Sequence, residues 1–154
     1  MAGGAAQVAD PRASEALDAY AALLQACRII QARVERFLLA AGLTPTQFAV
    51  MAALLRGGPL GQRELTRQVM TSAGNMTDLV DKLEARGLVR RARGERDRRA
   101  VQVALTQAGR DLISPLALQH AAEIAAAMTG LEPDELQRLD SLLRRLSAGA
   151  AEHG

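Results

Sequence analysis

The sequence predicts a mainly α chain of six helices, interrupted once by a small β-hairpin. Three observations predict it. Only Tyr20, Phe37 and Phe48 of the 154 residues are aromatic while 49% are apolar, so the core is built from Leu, Ala, Val, Ile and Met, a mixture that favours helix. Apolar residues recur at spacings of three and four through most of the chain. Between Leu88 and Leu105 the period changes: Val101, Val103 and Leu105 alternate with Gln102 and Ala104, as on a half-buried strand. The length fits one domain with a real core.

The first helical pattern runs from Ser14 to Ala40, with Leu17, Tyr20, Leu24, Cys27, Ile30, Val34 and Phe37 on its apolar stripe and Gly42 beyond its end. Residues 1–13 read as a frayed tail without the cationic and apolar regions of a signal peptide. Thr44-Pro45-Thr46-Gln47 starts a second helix: Thr44 caps, Pro45 fits the first position and Gln47 completes a capping box. Gly57-Gly58-Pro59 stops it. Gly61 to Gln68 makes a short third helix, and Thr71-Ser72 punctuates the chain. Ser72 caps a fourth helix reaching Arg86, with Met76, Leu79, Val80 and Leu83 inward and Asn75, Asp78, Asp81 and Lys82 outward.

After the hairpin, Thr106 caps a fifth helix to about Met128, and Pro115 is expected to kink it or split it near Ile113. Pro133, followed by Asp134 and Glu135, opens the sixth, lined by Leu136, Leu139, Leu142, Leu143 and Leu146. Residues 149–154 read as a second tail. No apolar span approaches membrane length. One cysteine excludes an internal disulfide, and with no targeting segment the chain reads as cytoplasmic.

The net charge of +2 conceals an uneven distribution. From Lys82 to Arg99 eight basic residues face three acidic ones, a local +5 on an otherwise slightly acidic body. Such a stripe is the footprint of a phosphate-backbone binder. Two short helices joined by a tight turn form a helix-turn-helix, and an arginine-tipped ribbon after the second is the winged helix-turn-helix order. Transcriptional control through DNA is the leading implication.

The motifs Leu43-Thr44-Pro45-Thr46-Gln47-Phe48, Asn75 through Arg90 (NMTDLVDKLEARGLVR), and Asp97-Arg98-Arg99 leading to Leu105-Thr106-Gln107-Ala108-Gly109 resemble the multiple antibiotic resistance regulator (MarR) family. The resemblance implies an intertwined homodimer. Residues 14–42 and 106–148 would supply its dimerisation helices and 43–105 a winged helix-turn-helix lobe, all within one domain spanning 14–148. It also implies a repressor released by a small, often phenolic or aromatic, effector or by oxidation. The apolar stripes of the terminal helices independently call for a symmetric partner, being too wide for one lobe to cover.

On this reading the fourth helix enters the major groove of a pseudo-palindromic operator, with Ser72, Asn75, Thr77, Asp78 and Lys82 as contact candidates. Asn pairs bidentately with adenine. Asp78 departs from the family, where a basic residue is common; an acid here discriminates against wrong sites or accepts from a cytosine amino group. On the wing the candidates are Arg93, Arg96, Asp97, Arg98 and Arg99. By resemblance Asp97 orients Arg99 into the minor groove, while Arg96 and Arg98 clamp phosphates.

Tyr20, Cys27 and His120 are candidates for an effector pocket. Cys27 sits in an apolar stripe and is expected to be a buried structural thiol. A peroxide-sensing role is the alternative, although the family's peroxide sensors carry their cysteine earlier in the first helix, near the place of Tyr20. His120 lines a pocket or simply packs. No nucleophile–base set, P-loop or dinucleotide motif points to an enzyme, and no cofactor is implied. Cys27, His120 and Glu123 lack the spacing of a metal site. A winged helix serving only as a protein-interaction adaptor would not need the basic stripe.

Overall fold

A computed structural model describes residues 10–93 and 101–151. The elements follow one another as α1 (Pro11–Ala40), α2 (Pro45–Gly57), β1 (Leu60–Gly61), α3 (Gln62–Val69), α4 (Ala73–Ala85), β2 (Val89–Arg93), β3 (Val101–Leu105), α5 (Gln107–Ala127) and α6 (Pro133–Ala151). The six helices and the hairpin are those expected from the sequence.

The local chemistry of the helix starts matches the residues that suggested them. The Gln47 N–H donates to Thr44 Oγ1 at 3.2 Å and the Thr44 N–H to Gln47 Oε1 at 3.0 Å, a complete capping box. Ser72 and Thr106 cap α4 and α5 by accepting the N–H groups of Asn75 and Gly109. Helix α1 opens at Pro11 rather than Ser14. The Asp10 carboxylate accepts the Arg12 N–H at 3.1 Å, and proline loses nothing in a first turn. Helix α6 continues to Ala151, past the start of the tail expected at residue 149, through residues rich in alanine.

Pro115 lies inside an unbroken α5 and does not split it at Ile113. Its ring removes one backbone hydrogen bond, while Ile113 is fully buried and Leu116 packs on the core at the next turn. Packing on both sides of the proline holds the helix continuous through it.

The sheet has the order β1-β3-β2, antiparallel throughout. β1, unforeseen in the sequence, pairs Leu60 with Val103 and Gly61 with Gln102. Two residues are too few to show a period; the open edge of β3 sets their conformation. α3 accordingly begins at Gln62 rather than Gly61. The strict alternation expected of β3 fails at two places. Val101 is exposed, because it pairs with Arg93 at the outer end of the ribbon, and Ala104 is buried, because the inner end of β3 touches α2, α3 and α5.

The core sits in the lobe formed by α2 to α5 and the sheet. Val50, Met51, Leu54, Leu65, Met76, Val80, Leu83, Val89, Val103 and Ile113 are almost wholly enclosed. α1 adds only Val34 and Leu38, near its C-terminal end, and no residue of α6 outside its last two is fully buried. The N-terminal two-thirds of α1 therefore leaves Leu17, Tyr20 and Ile29 exposed. Cys27 shares that exposure in the single chain, contrary to the expected buried thiol.

Candidate nucleic-acid interface

Helices α3 and α4 meet across Met70, Thr71 and Ser72. Met70 closes α3 in the left-handed conformation (φ 54°, ψ 48°), and its N–H donates to Thr66 O. This tight turn sets α4 with its N-terminal end and outer face open to solvent. Ser72, Asn75, Thr77, Asp78 and Lys82 are all exposed. Among the described residues the side chains of Asn75, Asp78 and Lys82 have no hydrogen-bond or ion-pair partner, so they are free to meet a ligand. Their spacing of three and four places them on one face.

Thr77 is less free. Its hydroxyl donates to Ala73 O at 3.1 Å and accepts from Gln62 Nε2 at 2.5 Å, so it ties α3 to α4. Gly74 has open space where a Cβ would stand, which leaves the first turn of α4 bare.

The cations of α4, its C-terminal end and β2 divide into two groups. Lys82 and Arg90 are exposed, with their charges unpaired among the described residues. Arg86 donates to Gly42 O at 2.7 Å, joining α4 to the end of α1. Arg91 turns inward: its guanidinium donates to Glu84 Oε2 at 2.5 Å and Asp81 Oδ1 at 2.6 Å, and its backbone N–H to Glu84 Oε1 at 2.8 Å. The continuous stripe of cations expected from the sequence is thus interrupted by two arginines engaged within the fold. The backbone N–H and guanidinium of Arg91 hold the Glu84 carboxyl below its usual range. The side chain of Arg93 and the residues Arg96, Asp97, Arg98 and Arg99 lie outside the described residues.

The three effector candidates do not converge in this chain. His120 faces a cavity of about 340 Å³ between α1, α2, the end of α3 and α5, where Phe48, Arg56 and Ile124 also line it. Its ring stacks on Phe48, with centroids 4.7 Å apart and planes 27° from parallel. Burial, reinforced by Arg56, pushes the imidazole pKa below its ordinary value. Tyr20 instead lines a shallow depression on the outer face of α1, and Cys27 is exposed further along the same helix. Periodicity placed all three on helices but could not set the angle at which α1 crosses the lobe. Phe48 and Arg56, missed in the sequence, lie two turns apart on α2. Among the described residues no group of His, Cys, Asp and Glu could hold a metal ion. Among the described residues no single helix is long and apolar enough to cross a membrane.

A helix-turn-helix with an open second helix, backed by a three-stranded sheet carrying a basic ribbon, defines the winged helix class of DNA-binding transcriptional regulators. The relatives agree. A sequence profile of the MarR family matches residues 43–101. The helix-turn-helix transcriptional regulator YkoM of Bacillus subtilis is 36% identical over 104 residues, 68% of each chain. Among solved structures, AbsC of Streptomyces coelicolor, a MarR-family regulator, superposes with a TM-score of 0.80 at 24% identity, covering 88% of this chain and 94% of its own. BpsR of Bordetella bronchiseptica, whose DNA binding is regulated by 6-hydroxynicotinic acid, gives 0.73 at 25% identity, covering 84% and 98%. The chain belongs to the MarR family of transcriptional regulators.

Proposed function

We propose that the chain acts as a homodimeric repressor that grips a pseudo-palindromic duplex through α4 and the ribbon of each protomer, and releases it on binding a small aromatic molecule. The observation that carries this reading is the polar face of α4 (Asn75, Asp78, Lys82), unpartnered among the described residues, in a lobe whose β2–β3 connection is rich in arginine by sequence. Short polar side chains on such a helix reach base edges, and the ribbon's arginines reach phosphates and the minor groove. Ser72 retains a hydroxyl hydrogen for a phosphate while its oxygen caps α4. Thr77 acts through its tie to Gln62, holding α4 against α3.

Dimerisation is supported by the apolar side chains that one chain leaves bare: Leu17 and Ile29 on α1, Leu118 on α5, and Leu142 and Leu146 on α6. Tyr20 and Cys27 share the bare portion of α1 and belong to that interface on this reading. Effector release is supported by the cavity beside His120. It joins α1 to the lobe, so an occupant would bias the angle between the dimer helices and α4. An aromatic ligand suits its stacked Phe48–His120 wall, with Arg56 at its side for an acidic substituent.

The test is equilibrium binding of the purified protein to the duplex upstream of its own coding sequence, with and without 6-hydroxynicotinic acid and simple phenolic acids. Tight binding that weakens with salt and is released by one of these acids supports the full reading. Absence of binding at low salt contradicts it, and binding insensitive to every acid removes the effector half.

A further inference from the structure

The inward turn of Arg91 links the two parts of the interface. Arg91 lies on β2 opposite Val103, and only Ala92 and Arg93 follow it on the described strand. It therefore ties the outer half of the described strand back to α4. There its guanidinium fork and backbone N–H make three hydrogen bonds to two carboxylates on one face of α4, Asp81 and Glu84. The fork is pre-organised for two acceptors at once, which a lysine ammonium on a flexible stem is not.

A second consideration concerns charge. Asp81 and Glu84 place two negative groups on the helix that approaches phosphates, where electrostatics alone disfavours them. Arg91 could offset only one of them, and it does so by turning away from the open face; its side chain is 29% exposed. Residues that oppose DNA binding by charge but fix geometry are explained by what they fix.

We propose that Asp81, Glu84 and Arg91 form a clamp that sets the angle between the major-groove helix and the wing, making Arg91 a positioning residue for operator discrimination rather than a phosphate contact. The proposal rests on the reading that α4 and the wing engage the duplex together. A clamped wing delivers its arginines at one distance from α4, so a duplex matching both contacts is favoured over one matching either. An unclamped wing still meets phosphates, but it loses register with the bases.

The measurement is anisotropy of labelled duplexes, one from the region upstream of the coding sequence and one scrambled, with the wild type, Asp81→Ala/Glu84→Ala, Arg91→Lys and Arg99→Ala. Thermal unfolding of each variant accompanies it. The clamp predicts that Asp81→Ala/Glu84→Ala lowers the ratio of operator to scrambled affinity about tenfold, comparable to losing one base contact. Operator affinity itself should fall, while scrambled binding should stay level or rise by well under tenfold, since two negative charges are gone. Arg91→Lys should lower the ratio as well, despite keeping the charge, and should leave the salt slope unaltered. A merely structural role would lower both affinities together with the melting temperature, and overturns the clamp. So does an operator affinity that stays level or rises in Asp81→Ala/Glu84→Ala, which would mean a freed Arg91 binds phosphate. If Arg99→Ala weakens operator binding while the ratio is unmoved in the clamp variants, the clamp alone fails. If Arg99→Ala binds normally, the wing reading fails and the clamp with it.

Discussion

A Cβ on Gly109 would stand 1.9 Å from the Leu88 carbonyl oxygen and 2.9 Å from its carbon. The first turn of α5 lies directly against the start of β2, and the Thr106 hydroxyl completes the joint by donating to Gly87 O at 2.7 Å. The Leu105–Gly109 motif is thus a packing device that fixes the ribbon's root. Helix propensity alone would make Gly109→Ala stabilising, by about 1 kcal/mol. The backbone clash wins, and the variant should lose about 1–3 kcal/mol in urea unfolding at fixed protein concentration. A neutral or stabilised variant would refute the close approach. His120 gives a second residue-scale prediction. Its ring titrates near 6.5 when unfolded and lower when folded, because burial disfavours the cation. Between those two values the unfolded chain binds more protons, so this contribution is complete above 6.5 and is lost as pH falls through the folded value. The melting temperature should therefore fall as the pH drops below about 6.5 and through the lowered folded value, and His120→Phe, which keeps a ring on Phe48, should flatten that fall. An unchanged slope would assign it to other groups. The sequence showed that His120 lies on α5 but not that Phe48 stacks on it, since the two rings are brought together only by the packing of α2 on α5.

At the scale of elements, legibility followed local chemistry. The starts of α2, α4 and α5 were readable because their caps are local: a side chain meeting a backbone N–H three residues on needs no tertiary information. The C-terminal end of α4 is equally local. Gly87 takes the left-handed conformation (φ 68°), and the Leu88 N–H reaches back to Leu83 O at 3.0 Å, sending the chain straight into β2. Three features escaped because their causes are distant in sequence. β1 exists only because β3 offers it an edge. Pro115 is tolerated only because Ile113 and Leu116 are held by the core. Arg91 reads as one more cation in a basic run, yet the fold commits it to two acids on α4. Asp81 and Glu84, three apart on one helix face, were the available signal, but they look the same as a solvated helix surface until β2 is placed beside them.

For the whole molecule, the division between a packed lobe and thinly packed terminal helices argues for the dimer. α6 contributes Leu142 and Leu146 at 49% and 60% exposure, a spacing that stacks them on one face. Because neither is buried within its own chain, Leu142→Asp/Leu146→Asp should leave the lobe folded but halve the mass in sedimentation and weaken operator binding. A variant that remains dimeric would move the interface elsewhere. The sequence made the bare apolar stripes of the terminal helices and the exposed polar side of α4 legible; that these meet a second copy and a duplex is the proposed reading. The angle between helix and ribbon is a property of the assembled fold. The claim on which the rest depends is that ribbon and helix hold the duplex together. Operator affinity of Arg99→Ala against wild type tests it most directly: the variant should remain dimeric and bind at least about tenfold more weakly, in line with 1–3 kcal/mol for a lost arginine contact. Binding within a factor of about two of wild type, well under 1 kcal/mol, would contradict it.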